Sequence, residues 1–139
     1  PLDDALDSVL AQDVASPIDL PAWTNSAMDG YAVRAADIRG ARRDTPVRLR
    51  VVETIPAGHF PTRWIGAGDA ARIFTGAPLP GGADTVVRQE DTDGGAEVVS
   101  LFDDRDAGVN IRLTGEDLRR GDIVVRDGTP LGRPGWAFV

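Results

Sequence analysis

A chain of 139 residues, 42% hydrophobic and 27% charged, carries enough apolar material for one folded domain or two small ones. Its net charge of −7 argues against nucleic acid as a partner, because phosphate contacts need a basic face, and no apolar run approaches the length of a membrane span. Cysteine and lysine are both absent, which excludes disulfides, thiolate chemistry and lysine Schiff bases; the cytoplasm is the default compartment, though the lack of cysteine is also compatible with export.

Leu2, Leu6, Val9 and Leu10 form an i, i+4, i+7, i+8 stripe that predicts an amphipathic helix over residues 2–12. Pro1 suits a first helical position, and Asp3 and Asp4 suit the positive end of the dipole. Val14 to Leu20 reads as extended chain broken by Pro17 and Pro21. Asn25-Ser-Ala-Met-Asp-Gly-Tyr-Ala32 follows, with the only Met and the only Tyr of the sequence. Its Asp29-Gly30 pair predicts a tight turn, since Gly accepts positive φ and an Asp side chain can bond its own backbone. Ala35 to Ile38 reads as one helical turn and residues 40–44 as a polar loop. From Val47 the apolar period falls to two. Val47, Leu49 and Val51, then Val52 and Ile55, mark a strand with an irregularity.

Residues 56–61 read as a loop, whose His59 has no second histidine to join it and is read as a surface side chain. Gly66 to Asp69 turns the chain into a strand over Ala70–Phe74, and Thr75 to Gly82 is a loop rich in Pro and Gly. Asp84–Glu90 predicts another strand. Asp93-Gly94-Gly95 predicts a hairpin turn that pairs it antiparallel with Ala96–Phe102. The acidic residues 103–106 read as a solvated loop, Gly108–Arg112 as a short strand, Gly121–Gly128 as strand then turn, and Arg133-Pro134 as the start of a helix. Many short strands divided by Gly and Pro indicate a mostly β fold. The opening helix and the segment beyond about residue 115 would form a smaller α+β unit.

Three segments set glycine beside a polar side chain at a turn: Ser26-Ala-Met-Asp29-Gly30, Phe74-Thr75-Gly76-Ala-Pro78 and Arg112-Leu-Thr-Gly115-Glu116-Asp117. Gathered at one end of a β domain they would make an anion- or metal-binding rim; apart, they are three ordinary loops. The carboxylates of Asp29, Glu116 and Asp117 suit Mg²⁺, a hard cation that favours oxygen ligands. The Thr75 hydroxyl and the Arg112 fork suit an oxyanion. A Walker A loop is excluded by the lack of lysine, no G-x-G-x-x-G opens a helix, and nothing around His59 indicates a Ser-His-Asp triad.

The segments Asn25–Ala32, Ile73-Phe-Thr-Gly-Ala-Pro-Leu-Pro80, Asp84-Thr-Val-Val87, and Asn110-Ile-Arg112 with Gly115-Glu-Asp117 occur in one order over nearly the whole chain. In this the sequence closely resembles the N-terminal region of MoeA, the molybdopterin molybdenumtransferase family that includes the E domain of gephyrin and its plant counterpart. The resemblance implies a mostly β fold with α+β character: an irregular β domain over residues 24–112, and a smaller discontinuous α/β unit from residues 1–23 and 113–139. It implies an enzyme that inserts molybdenum from molybdate into adenylylated molybdopterin, with Mg²⁺-dependent release of AMP. That enzyme is a cytoplasmic homodimer whose cleft lies between this β domain and the pterin-binding domain of the partner subunit, with no membrane or nucleic-acid partner. Carried over by motif, Asp29, Thr75 and Asp117 fall on catalytic positions and Ser26, Arg112 and Glu116 on substrate-binding ones. Asp29 and Asp117 would handle metal or molybdate. The family's pterin-binding and C-terminal domains have no counterpart in the sequence, which starts at Pro1 without Met and ends on the apolar run Gly135–Val139. The expectation is therefore a fragment that is inactive alone. A non-catalytic dimerisation or binding module, or a tungsten-handling paralogue, are the competing expectations.

Overall fold

The computed structural model of the chain describes Ala5 and residues 7–132. In chain order its strands are β1 (Ser8–Val9), β2 (Val14–Ala15), β3 (Asn25–Ser26), β4 (Gly30–Val33), β5 (Val47–Ile55), β6 (Asp69–Ile73), β7 (Thr85–Arg88), β8 (Val98–Leu101), β9 (Ile111–Arg112), β10 (Ile123–Val125) and β11 (Pro130–Leu131). Helical structure among the described residues is confined to 3-10 turns, among them Ala35–Asp37 and Gln89–Asp91. The protein is mostly β, as its short apolar runs predict. Among the described residues no helix is long and apolar enough to cross a membrane. The chain divides into two compact units, Pro21–Thr114 and a discontinuous unit of Pro1–Leu20 with Gly115–Val139.

In the Pro21–Thr114 unit five strands form one sheet in the order β7-β4-β6-β5-β8. Only β5 and β6 run parallel; every other neighbouring pair is antiparallel. Side chains alternate between the faces of a strand, and the cross-strand registers carry that alternation across the sheet. One face buries Tyr31, Val33, Leu49, Ala70, Val87, Val99 and Leu101 with Ile38. The other buries Ala32, Ile55, Ala71, Ile73 and Val86 with Ile65 and Ala77. The irregularity expected in β5 is a register shift against β6 between Val51 and Glu53.

The expected hairpin between β7 and β8 does not form. These two strands occupy opposite edges of the sheet, β7 beside β4 and β8 beside β5. The Asp93 turn itself is real, because the Asp93 carboxylate accepts from the backbone of Gly95 (3.0 Å) and Ser100 (2.9 Å). It is the 3-10 turn Gln89–Asp91 that swings the chain off the line of β7 before the turn begins. Local turn chemistry thus fixes a reversal without fixing which strand becomes the neighbour.

The discontinuous unit is an antiparallel ribbon in its described part. Ser8 pairs with Leu131 and Val9 with Pro130, Ala15 with Ile123, and Leu20 with Leu118. The helix expected over residues 2–12 is replaced in its described second half by β1 and extended chain. Asp7 takes a φ of 63°, which ends any right-handed turn, and the ladder with residues 128–131 supplies the backbone bonds a helix would have made. Residues 1–4 and the expected helix from Arg133 lie outside the described residues.

Candidate functional site

Strands β4 and β6 are antiparallel with Gly30 opposite Ile73, so the residue before β4 and the residues after β6 meet at one end of the sheet. Those residues are Asp29 and the turn Phe74-Thr75-Gly76-Ala77. The turn is closed by a 2.9 Å bond from the Ala77 N–H to the Phe74 carbonyl. Gly76 stands at its third position with φ +82°, the conformation a type II turn demands there. This points both the N–H (2.8 Å) and the hydroxyl (2.7 Å) of Thr75 at the same carboxylate oxygen of Asp29, Oδ1. The second oxygen, Oδ2, receives no hydrogen bond from the described residues. Both side chains are exposed.

The backbone N–H of Thr75 and then its hydroxyl hold the Asp29 carboxyl below its usual value of 3.8; desolvation opposes them, and the charge of Arg72 adds the smallest lowering effect. Asp29 is therefore a fixed, ionised carboxylate with one oxygen free to accept a proton, a metal or a polar ligand.

Gly30 does not play the part its sequence context predicts. It is not in the positive-φ region, and it opens a strand rather than completing a turn. A Cβ there would lie 2.0 Å from the Val87 carbonyl oxygen, so glycine is required by the close approach of β7. The Asp29 side chain, expected to bond its own backbone, reaches across to Thr75 instead.

Ser26 is buried, and its hydroxyl donates to the Met28 carbonyl (2.6 Å) while accepting from the Met28 N–H (3.2 Å). It shapes the turn that presents Asp29. Strand β3, which carries Ser26, is stitched on both sides: Gly76 N–H donates to the Ser26 carbonyl (2.9 Å), and Asn25 and Ser26 pair with Arg112 and Ile111 of β9. Asn110, at φ 64°, sends its side-chain amide to the Val86 carbonyl (2.9 Å) in β7. The segments 25–32, 73–80, 84–87 and 110–112 therefore form one hydrogen-bonded block. Arg112 stands half-buried on it. Glu116 and Asp117 belong to the discontinuous unit, where both are exposed just after Gly115 (φ 68°) and the Asp117 N–H bonds the Leu20 carbonyl (2.9 Å).

The sequence reading missed Arg72. It stands in the same cross-strand row as Tyr31, its guanidinium lies over the rings of Tyr31 (5.0 Å) and Phe74 (5.1 Å), and it donates to the Gln89 side chain. The available signal was a single cation inside the otherwise apolar run Ala70-Ala-Arg-Ile-Phe74.

The family whose members are described as the MoeA N-terminal region (domain I and II) matches residues 1–138. The chain belongs to that family. It is 42% identical over 132 residues to a molybdopterin molybdenumtransferase of Synechococcus elongatus, covering 94% of this chain and 33% of the relative. It is 46% identical over 128 residues to molybdopterin molybdenumtransferase 2 of Mycobacterium tuberculosis, covering 92% and 32%. The crystal structure of the molybdopterin biosynthesis moeA protein from Pyrococcus horikoshii superposes with a TM-score of 0.86 at 37% identity, over 96% of this chain and 35% of that one. The chain thus spans about a third of the length of these MoeA relatives.

Proposed function

We propose that the chain supplies the Asp29-bearing part of a molybdopterin molybdenumtransferase acting in molybdenum cofactor biosynthesis. In this reading the whole protein inserts molybdenum from molybdate into adenylylated molybdopterin and releases AMP. The observation that carries the reading is the Asp29–Thr75 pair: a held carboxylate with one free oxygen, built where the family's sequence motifs converge. Asp29 and Asp117 serve as the carboxylates that handle metal or molybdate, and Thr75 and Arg112 as donors to phosphate or oxyanion. Glu116 lies at the substrate, and Ser26 acts on it through the turn that bears Asp29.

Mg²⁺ fits the Asp29 carboxylate as a shared rather than a caged ion. Among the described residues no group of three or more His, Asp or Glu side chains is arranged to hold a metal. Mg²⁺ is commonly bound by one or two carboxylates with substrate phosphates and water completing the shell, and the free Oδ2 of Asp29 can be one such ligand. When bound, the ion would neutralise phosphate charge as AMP departs.

The cleft of the whole enzyme is completed by the pterin-binding domain of a partner subunit in a cytoplasmic homodimer. Since the chain is about a third of its relatives' length, the 139 residues alone are proposed to be inactive. The test is complementation of a molybdenum-cofactor-deficient strain by the complete reading frame encoding this chain. Wild type should rescue and Asp29→Ala and Thr75→Ala should not; full rescue by both variants would remove Asp29 and Thr75 from the site.

A further inference from the structure

Asp29 lies between the ends of two other strands. Gly30, the first residue of β4, pairs with Ile73 of β6 on one side and with Arg88 of β7 on the other. One residue further out, Asp29 is flanked by Phe74 and Gln89, and the Gln89 backbone N–H donates to the Asp29 carbonyl (3.0 Å). The Asp29 main chain is thus held from the β7 side, and its carboxylate from the β6 side through Thr75. How these two holds are spaced depends on what joins the end of β6 to the end of β7.

Arg72 makes that join. From β6 its side chain crosses β4, with the guanidinium over the rings of Phe74 (5.1 Å) and Tyr31 (5.0 Å), and Nη2 donates to Oε1 of Gln89. The Tyr31 platform is itself fixed, because the residue is buried and its hydroxyl donates to the Gly95 carbonyl (3.0 Å). Stability by itself does not require a cation here. Nη1 is buried without a hydrogen-bond partner, a cost that an apolar side chain of similar reach would avoid. Methionine would cover both rings and leave no donor unmade, but it could not bond Gln89. The span to Gln89 is what arginine adds. The Arg72 charge also lowers the Asp29 carboxyl, yet it is the smallest of the influences there, so the contribution is chiefly geometric.

We propose that Arg72 is a positioning residue for the Asp29–Thr75 pair: with Gln89 it ties the end of β6 to the end of β7 across β4, and so fixes how the Thr75 turn meets the Asp29 carboxylate. Asp29 is the group that meets the ligand, and Arg72 acts through it. The hold on Asp29 stands without the molybdenum-transfer reading, whereas its consequence for turnover rests on that reading.

Amide hydrogen exchange in the protein of the complete reading frame tests the hold, with Arg72→Met and Gln89→Ala as variants. Arg72→Met keeps the cover over Tyr31 and Phe74 and loses the tie. Gln89→Ala, at an exposed position, keeps the backbone N–H that bonds Asp29. In both variants exchange at the Thr75 amide should quicken by about tenfold. The Val51 amide, which bonds the Glu97 carbonyl (2.8 Å) on the β8 side of the sheet, should keep its rate. Loss of the cation alone would slow base-catalysed exchange, so quickening reads the lost hold. Turnover adds a second readout. Arg72→Met should lower kcat about tenfold with KM for adenylylated molybdopterin little changed, and should cost nothing further in an Asp29→Asn background. An unchanged Thr75 rate in Gln89→Ala would overturn the proposal, even where Arg72→Met fails to fold. So would equal quickening at Thr75 and Val51, or equal kcat losses from Arg72→Met with and without Asp29→Asn. An Asp29→Asn enzyme as fast as wild type would remove the molybdenum-transfer reading instead, and the exchange rates would still decide the proposal.

Discussion

Asp29 is held through one oxygen only, and that division of labour governs what its substitution should do. The two bonds to Oδ1 fix the carboxylate and keep it ionised, while Oδ2 of this exposed residue has no hydrogen-bond partner among the described residues. Thr75→Val removes the hydroxyl bond and leaves the backbone one, so the Asp29 pKa should move part of the way back toward 3.8. A ¹³C titration of the Asp29 carboxyl in wild type and variant measures this; an unmoved titration would mean that the hydroxyl does not hold the carboxylate. Gly30 makes a second prediction at this scale. Its Cβ would strike the Val87 carbonyl, so Gly30→Ala should part β4 from β7 and cost about 3 kcal/mol, the upper range for overpacking. Gly58, at φ +81° with open space around it, should cost only about 1 kcal/mol when changed to Ala. Urea denaturation compares the two. The sequence shows that Asp29, Gly30 and Thr75 matter without showing why. An Asp-Gly pair looks like a turn from within, and only the register of β7 makes Gly30 a clearance problem.

Among the elements, the loop that follows β8 is tied to the sheet by Asp106. Its carboxylate is buried and accepts from the Arg88 backbone N–H (3.1 Å), Nε (3.0 Å) and Nη2 (2.9 Å) at the end of β7. Burial is the largest single influence on this carboxyl and favours its neutral form. The Arg88 bonds and charge together outweigh it, so the pKa lies below 3.8. A carboxyl whose folded pKa lies below its unfolded value contributes its stability above about 3.8 and loses it as pH falls through the folded value. Asp106→Asn should therefore be less stable than wild type by about 1–2 kcal/mol at neutral pH, with the gap closing at acid pH below 3.8. Urea midpoints as a function of pH read this directly, and a gap independent of pH would contradict it. β5 is legible in the sequence because its period-two apolar residues report a strand with one apolar face, and β6 because it is a short apolar run bounded by turn residues. The placement of β7 and β8 is not legible, because Asp93-Gly94-Gly95 specifies a reversal while the 3-10 turn before it decides the partner. β1 escapes a periodicity reading for a related reason: Val9 and Leu10 fit a helical stripe, and what overrides it is a ladder more than a hundred residues away in the chain.

For the molecule as a whole, the two units differ in what holds them. Every fully buried apolar side chain among the described residues falls between Tyr31 and Leu101, inside the Pro21–Thr114 unit. The ribbon of the discontinuous unit leaves Val9, Val14, Ile123 and Val124 exposed and relies on backbone pairing. Hydrogen exchange should therefore be slowest in β4 and β6 and faster by orders of magnitude in β1, β2, β10 and β11, since local opening of the ribbon uncovers no buried apolar core. Equal protection in the two units would contradict that division. The family is legible in the sequence because most of its motif residues, 25–32, 73–80, 84–87 and 110–112, hydrogen-bond to one another around β3 and β4, while Gly115-Glu-Asp117 belongs to the other unit. Arg72 stayed hidden because its significance lies in a cross-strand row. In the proposed reaction Asp29 presents its free carboxylate oxygen to the chemistry of molybdenum insertion. The direct measurement is AMP release and cofactor formation from adenylylated molybdopterin and molybdate, by the protein of the complete reading frame, for wild type and Asp29→Asn. Wild type should form cofactor, and Asp29→Asn, which keeps the shape and loses the charge, should be slower by about 100-fold or more; an Asp29→Asn enzyme as fast as wild type would contradict the account.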